Sequence, residues 1–174
     1  MRRIARIFGR VEGAEIAEAA LVLPLVFMFL LGIVWFGRAF NIYSTITQAA
    51  QRGAVTAARP TCATCTPGNN FPANSVVDNS VYSVLDASNL DRTQIMPHAP
   101  STTPTYCPAS PSGCSSSASR ITVCRSVWLN SPSTPAQCGV IVSFQYPFQF
   151  YLPFTSLSLQ PITLTAQAQS RMEN

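Results

Sequence analysis

Residues 19–37 read AALVLPLVFMFLLGIVWFG, without one charged side chain. As a helix this run spans about 28 Å at 1.5 Å per residue, close to the roughly 30 Å of a bilayer's hydrocarbon core. Glu18 closes it on one side and Arg38 on the other, and Trp35 and Phe36 stand near its outer end, where aromatics favour the interface. Two other readings fit less well. A cleaved secretory signal has a shorter apolar region, followed by a small-x-small cut site; Arg38-Ala39-Phe40-Asn41-Ile42 offers none. A buried core helix would be weakened by Pro24 and Gly32, which membrane helices tolerate. The chain is 47% apolar and 10% charged, against about 25% charged in ordinary soluble domains. Because the apolar excess is concentrated near one end, it indicates a membrane segment beside a modest domain rather than one large core.

Charge and cysteine placement orient that segment. Every basic residue is Arg, the net charge is +4, and Arg2, Arg3, Arg6 and Arg10 all precede the apolar run. Such a cluster marks the cytoplasmic side. The six cysteines, Cys62, Cys65, Cys107, Cys114, Cys124 and Cys138, all follow the run, which suits disulfides in an oxidising compartment. The expected localisation is a bacterial inner membrane, with the N-terminus cytoplasmic and residues 59–174 periplasmic or beyond. The remaining arginines are scattered and not interleaved with aromatics, which argues against a nucleic-acid partner.

Beyond Arg38 the helix continues. Ile42, Ile46, Ala49, Ala50, Gly53 and Ala57 recur at spacings of three and four, forming one stripe. Arg59-Pro60 stops it, since a residue before proline is pushed out of the helical region. This predicts a rod over 14–58, preceded by a basic leader at 1–13, with the stripe packed as core. In the exported part Asn74 is placed to cap a short helix to about Ala87, with Val77, Val81, Val84 and Leu85 on one face. Residues 93–119 are rich in Pro, Ser and Thr and read as a long loop. Three period-two segments follow, around 121–129, 140–150 and 162–169, indicating antiparallel strands with one wet face. Phe144, Tyr146, Phe148, Phe150 and Tyr151 read as a core face, with partner binding as the other reading, and Asp78, Asp86 and Asp91 as a solvated face. The fold class is α+β: a long N-terminal transmembrane helix continuing into a small antiparallel sheet domain, with a short helix and a disulfide-rich loop.

The most specific local pattern is Gly13-Ala14-Glu15-Ile16-Ala17-Glu18-Ala19, set directly before the apolar run. A basic leader, a Gly and a Glu five residues later resemble the processing site of type IV prepilins. That resemblance implies that a prepilin peptidase cuts between Gly13 and Ala14. A carboxylate at the membrane lip is costly unless paired; in prepilin-like assembly a neighbour's new N-terminal amine would pair with Glu18. More narrowly, EGAEIAEAALVLPLVFMFLLGIVWFGRAF resembles the TadE-like family of tight-adherence (Tad/Flp) pilus systems, with Glu18, Leu23-Pro24 and Phe36-Gly37-Arg38 in the matching places. The resemblance covers residues 12–58. It implies a pilin-like fold and a structural, non-enzymatic role as a pseudopilin or minor pilin, with the membrane, other pilin-like subunits and the Tad assembly machinery as partners. Ala19 departs from it, since pilins often carry an aromatic after that Glu. The other reading, an uncleaved anchor in which Gly13 is a flanking turn and Glu18 an interfacial charge, stays open, and with it an envelope interaction module that never enters a filament.

Cys62-Ala63-Thr64-Cys65 raises two chemical alternatives, a redox pair and half of a zinc site. A redox CxxC usually opens a helix in a thioredoxin-like unit, and none precedes it. A zinc site needs partners, and His98 is the only histidine. A structural disulfide framework among the six cysteines is the preferred reading, with a membrane-tethered thiol protein as the lesser one. With a turn near Thr134, Cys124 faces about Phe144, so a Cys124–Cys138 bond would need a shifted register. No catalytic constellation, cofactor motif or metal site stands out.

Overall fold

The computed structural model describes residues 5–61, 71–108, 112–116, 120–130, 137–149 and 160–172, and for residues 5–12 and 14 the backbone alone. Cys62 and Cys65, the 131–135 connection, Phe150, Tyr151 and the end of the 93–119 stretch lie outside the described residues. Helix α1 (Ala5–Ala58) carries Pro24 within it. It begins at Ala5 rather than Ala14, so the helix runs through Gly13, and it ends immediately before Arg59-Pro60. The chain divides into two compact units, Met1–Phe40 and Asn41–Asn174.

In the second unit the small-residue stripe is core. Ile46, Ala49, Ala50, Ala54 and Ala57 of α1 are completely buried. They cluster with Val77, Val81 and Leu85 of helix α2 (Asn74–Ala87) and with Val140, Val142 and Phe144 of the sheet. Gly53 shows why these residues are small. A Cβ there would sit 2.7 Å from Val81 Cγ2 and 3.4 Å from Val142 Cγ1. Close approach, rather than helix propensity, accounts for a glycine in mid-helix.

The sheet has five antiparallel strands, β1 (Met96–Pro97), β2 (Gly113–Ser116), β3 (Thr122–Trp128), β4 (Cys138–Phe148) and β5 (Ile162–Arg171). Strand β4 is central. β5 pairs along one edge from Gly139↔Arg171 to Phe148↔Ile162. The other edge carries β3 and, beyond Thr122↔Ser143, the two residues of β1 at Phe144 and Gln145. β2 pairs with the far side of β3.

Four expectations are corrected. Residues 93–119 are not only loop: they hold a 3-10 turn at Arg92–Gln94, β1 and β2. The composition hid β2 because its pairing depends on β3 and on a disulfide, not on propensity. Strands β3 and β4 are buried on both faces rather than one, with Val123 and Val142 in the main core and Cys124, Val127 and Ile141 in a second cluster. Cys124 faces Ile141, not Phe144, and a bulge shifts the register between Cys124 and Val127. Asn74 does not cap α2. The cap position is Ala73, without a side-chain bond, and the Asn74 side chain is used elsewhere.

Candidate membrane and assembly site

Over residues 19–37 the first unit is apolar on all sides. Leu21, Phe27, Phe29, Ile33, Phe36 and Phe40 are among its exposed side chains, and Gly32 and Gly37 have nothing within 4 Å of where a Cβ would stand. A helix hydrophobic all round, with no buried stripe, belongs in lipid or among other helices. This helix is long and apolar enough to cross a membrane, and its most apolar stretch is wholly unburied. Near the stretch's end the Arg38 guanidinium lies 5.7 Å from the Trp35 ring centroid. That contact suits an interfacial anchor, with one end apolar and the other wet. Glu15 and Glu18 are exposed on α1, as is Gly13. Gly13 and Ala14 are both helical, so the expected processing bond is in regular helix.

In the second unit Arg125 carries the most polar tie to α1. It sits on the bulge of β3, on the Val123 side, and is 7% exposed. Its guanidinium donates to the Ala57 carbonyl at 3.1 Å, the Pro72 carbonyl at 2.7 Å and Asn74 Oδ1 at 3.1 Å. Ala57 is in the last turn of α1, where carbonyls have no helical partner and the helix dipole favours a cation. One side chain thus joins the end of α1, the approach to α2 and the sheet. Burial lowers its pKa from the usual arginine value. Asn74 explains its own failure as a cap: it accepts from Arg125 and donates to Ser115 Oγ at 2.7 Å. The signal for Arg125 was legible, a lone cation interrupting an apolar strand, but its acceptors are carbonyls far off in sequence.

Asp78 also departs from expectation. It is 6% exposed, not part of a solvated face, and its Oδ1 has no hydrogen-bond partner. Its neighbours in the solvated reading fit better. Asp86 lies 3.6 Å from Arg92, and Asp91 Oδ1 accepts from the Thr93 amide and hydroxyl at 2.9 and 2.7 Å. The Thr93 hydroxyl, then its amide, hold the Asp91 carboxyl below its ordinary value.

Four cysteines form two disulfides. Cys107 joins Cys138 at the start of β4, and Cys114 of β2 joins Cys124 directly opposite on β3. Cys124 and Cys138 are not bonded to each other. No described cysteine is free, and no group of three or more His, Cys, Asp or Glu among the described residues is arranged to hold a metal. His98 is half-buried and its carbonyl accepts from Ser143 Oγ at 2.7 Å.

Comparison with known families bears on the N-terminal part. Residues 13–55 match the family model described as TadE-like protein. The match runs from Gly13, through the exposed apolar stretch, into the buried stripe, and agrees with the resemblance carried by Glu18, Leu23-Pro24 and Phe36-Gly37-Arg38. No curated protein and no solved structure matches the chain.

Proposed function

We propose that this chain, TadE-like over residues 13–55, is a pseudopilin or minor pilin that acts by packing in the assembly of a Tad-type pilus for adhesion or secretion. The observation that carries the reading is the division of one helix by solvent. Its first part exposes apolar side chains on every face, and its second buries a stripe of small residues under a sheet. A helix of the first kind needs lipid or other helices around it. The four N-terminal arginines and the two disulfides agree on an orientation with the N-terminus cytoplasmic and the sheet exported. In this reading a prepilin peptidase removes residues 1–13, Ala14 becomes the N-terminus, and Glu18 pairs with the new amine of a neighbouring subunit.

Determining the N-terminal residue of the protein from its own host, with and without prepilin peptidase, tests the cut. Processing yields Ala14; an unchanged mass defeats it. Glu18→Gln is expected to abolish assembly of a processed chain while leaving its membrane insertion intact. The continuous helix through Gly13 favours a second reading, an uncleaved inner-membrane anchor carrying an envelope interaction domain. Recovery only from the inner membrane, never from sheared pili, supports that one.

A further inference from the structure

The segment flanking Cys107 is rich in serine and threonine and is strapped across the sheet at many points. Ser143 donates to the His98 carbonyl, the Ser101 amide and hydroxyl meet Gln167 Oε1 at 3.0 Å, and Cys107 is bonded to Cys138. The Trp128 amide donates to the Thr105 carbonyl at 2.9 Å and the Cys107 amide to the Ser126 carbonyl at 2.7 Å. Farther on, β2 is held by its pairing and by Cys114–Cys124. The backbone is therefore anchored, yet Thr102, Thr103, Thr105, Ser112 and Ser116 are exposed and make no side-chain hydrogen bond. Several hydroxyls on the helices and in the 3-10 turn are occupied instead: Thr47 and Thr56 bond back to α1 carbonyls, Ser80 and Ser83 to α2 carbonyls, and Thr93 to Asp91. Pro100, Pro104 and Pro108 keep the segment out of helix and hold it extended.

We propose that these free hydroxyls are an O-glycosylation site. Anchored, extended, proline-spaced serine and threonine is the form in which a transferase can grip a backbone and reach an oxygen, and such composition marks O-glycosylated segments. The hydroxyl oxygen attacks the anomeric carbon of a sugar activated as a diphosphate ester. The new carbon–oxygen bond forms as the bond to diphosphate breaks, the diphosphate leaves, and the hydroxyl proton passes to the transferase's base. Sugars there would hydrate a chain in which only 10% of residues are charged.

The chain contains no lysine, so trypsin releases residues 93–120 as one peptide after reduction. Mass spectrometry of the full-length protein from its own host is expected to show that peptide heavier by whole sugar residues, with fragmentation placing them on Thr102, Thr103, Thr105, Ser112 or Ser116. Peptide 39–52, with Thr47 bonded to the helix, should keep its unmodified mass. Replacing Thr102, Thr103 and Thr105 by Val is expected to remove the part of the shift they carry without disturbing the fold, since all three are exposed. An unmodified 93–120 peptide, phosphate instead of sugar, or sugar only on other peptides overturns the proposal. None of these outcomes depends on whether the leader is cut or a pilus forms.

Discussion

Phe36 and Phe144 are the same side chain set for two solvents. Phe36 is 76% exposed on a helix that is apolar all round, while Phe144 is fully buried between α1, α2 and the sheet. In the first unit hydrophobicity is a statement about the surroundings, because nothing in the unit covers it. In the second it is largely internal: the buried large side chains of α1, α2 and the sheet pack on one another. A residue of the first kind should report on membrane and partners, and one of the second kind on folding.

Substituting both phenylalanines tests that contrast most severely. Phe144→Ala is expected to destabilise the second unit by about 3–5 kcal/mol, as large core truncations do, measured by thermal unfolding of the full chain in detergent. Phe36→Ala should leave that transition within about 0.5 kcal/mol, the range of exposed substitutions. Equal losses would mean that Phe36 is also core.

Arg125→Met comes next. It strands the Ala57 and Pro72 carbonyls and Asn74 Oδ1, at a cost of roughly 2–3 kcal/mol. The last turn of α1 should lose hydrogen-exchange protection first, before the residues of β4 and β5. Uniform loss across the sheet would show that Arg125 does not specifically tie down the helix end.

The glycines of α1 sharpen the comparison further. Gly53→Ala forces its methyl to within 2.7 Å of Val81 Cγ2, so the valine must shift, at about 1–2 kcal/mol. Gly32→Ala meets nothing and should leave the melting of the second unit unchanged, although both substitutions raise helix propensity equally. A stabilised Gly53→Ala would show that this packing yields easily.

The smallest effect is expected at Asp91. Its carboxyl is held below the ordinary value by the Thr93 hydroxyl and amide, so its contribution is present above the unfolded carboxylate pKa. It is lost as pH falls through the lowered folded value. Asp91→Asn should therefore flatten the acid limb of a stability–pH profile slightly, by lowering its neutral end a little and leaving its most acidic end unchanged. An unaltered acid limb would remove Asp91 from the account.

Much of the first unit was legible in the sequence because its determinants are local. An uncharged run, flanking charges, Trp35, and the motif around Glu18 mean the same thing whatever the rest of the chain does. The stripe from Ile46 to Ala57 and the hydrophobic face of α2 were also legible, since helical spacing states which residues share a side. Asp78 misled for the same reason. Its charge suggested water, but its position beside Val77 and Val81 on α2 puts it inside.

By itself the sequence determined where a membrane helix could run, where α1 had to stop, and which residues would alternate in β4 and β5. Those outcomes depend on spacing, on proline geometry and on the transfer of apolar surface out of water, all of which act over a few neighbouring residues. The tertiary structure alone decided that Cys107 meets Cys138 and Cys114 meets Cys124, that four residues of a Ser-rich stretch become β2, and that Arg125 serves the end of α1. Each of these joins groups not adjacent along the chain, and only the pairing of β2 with β3 and of β3 with β4 brings the partners within bonding distance.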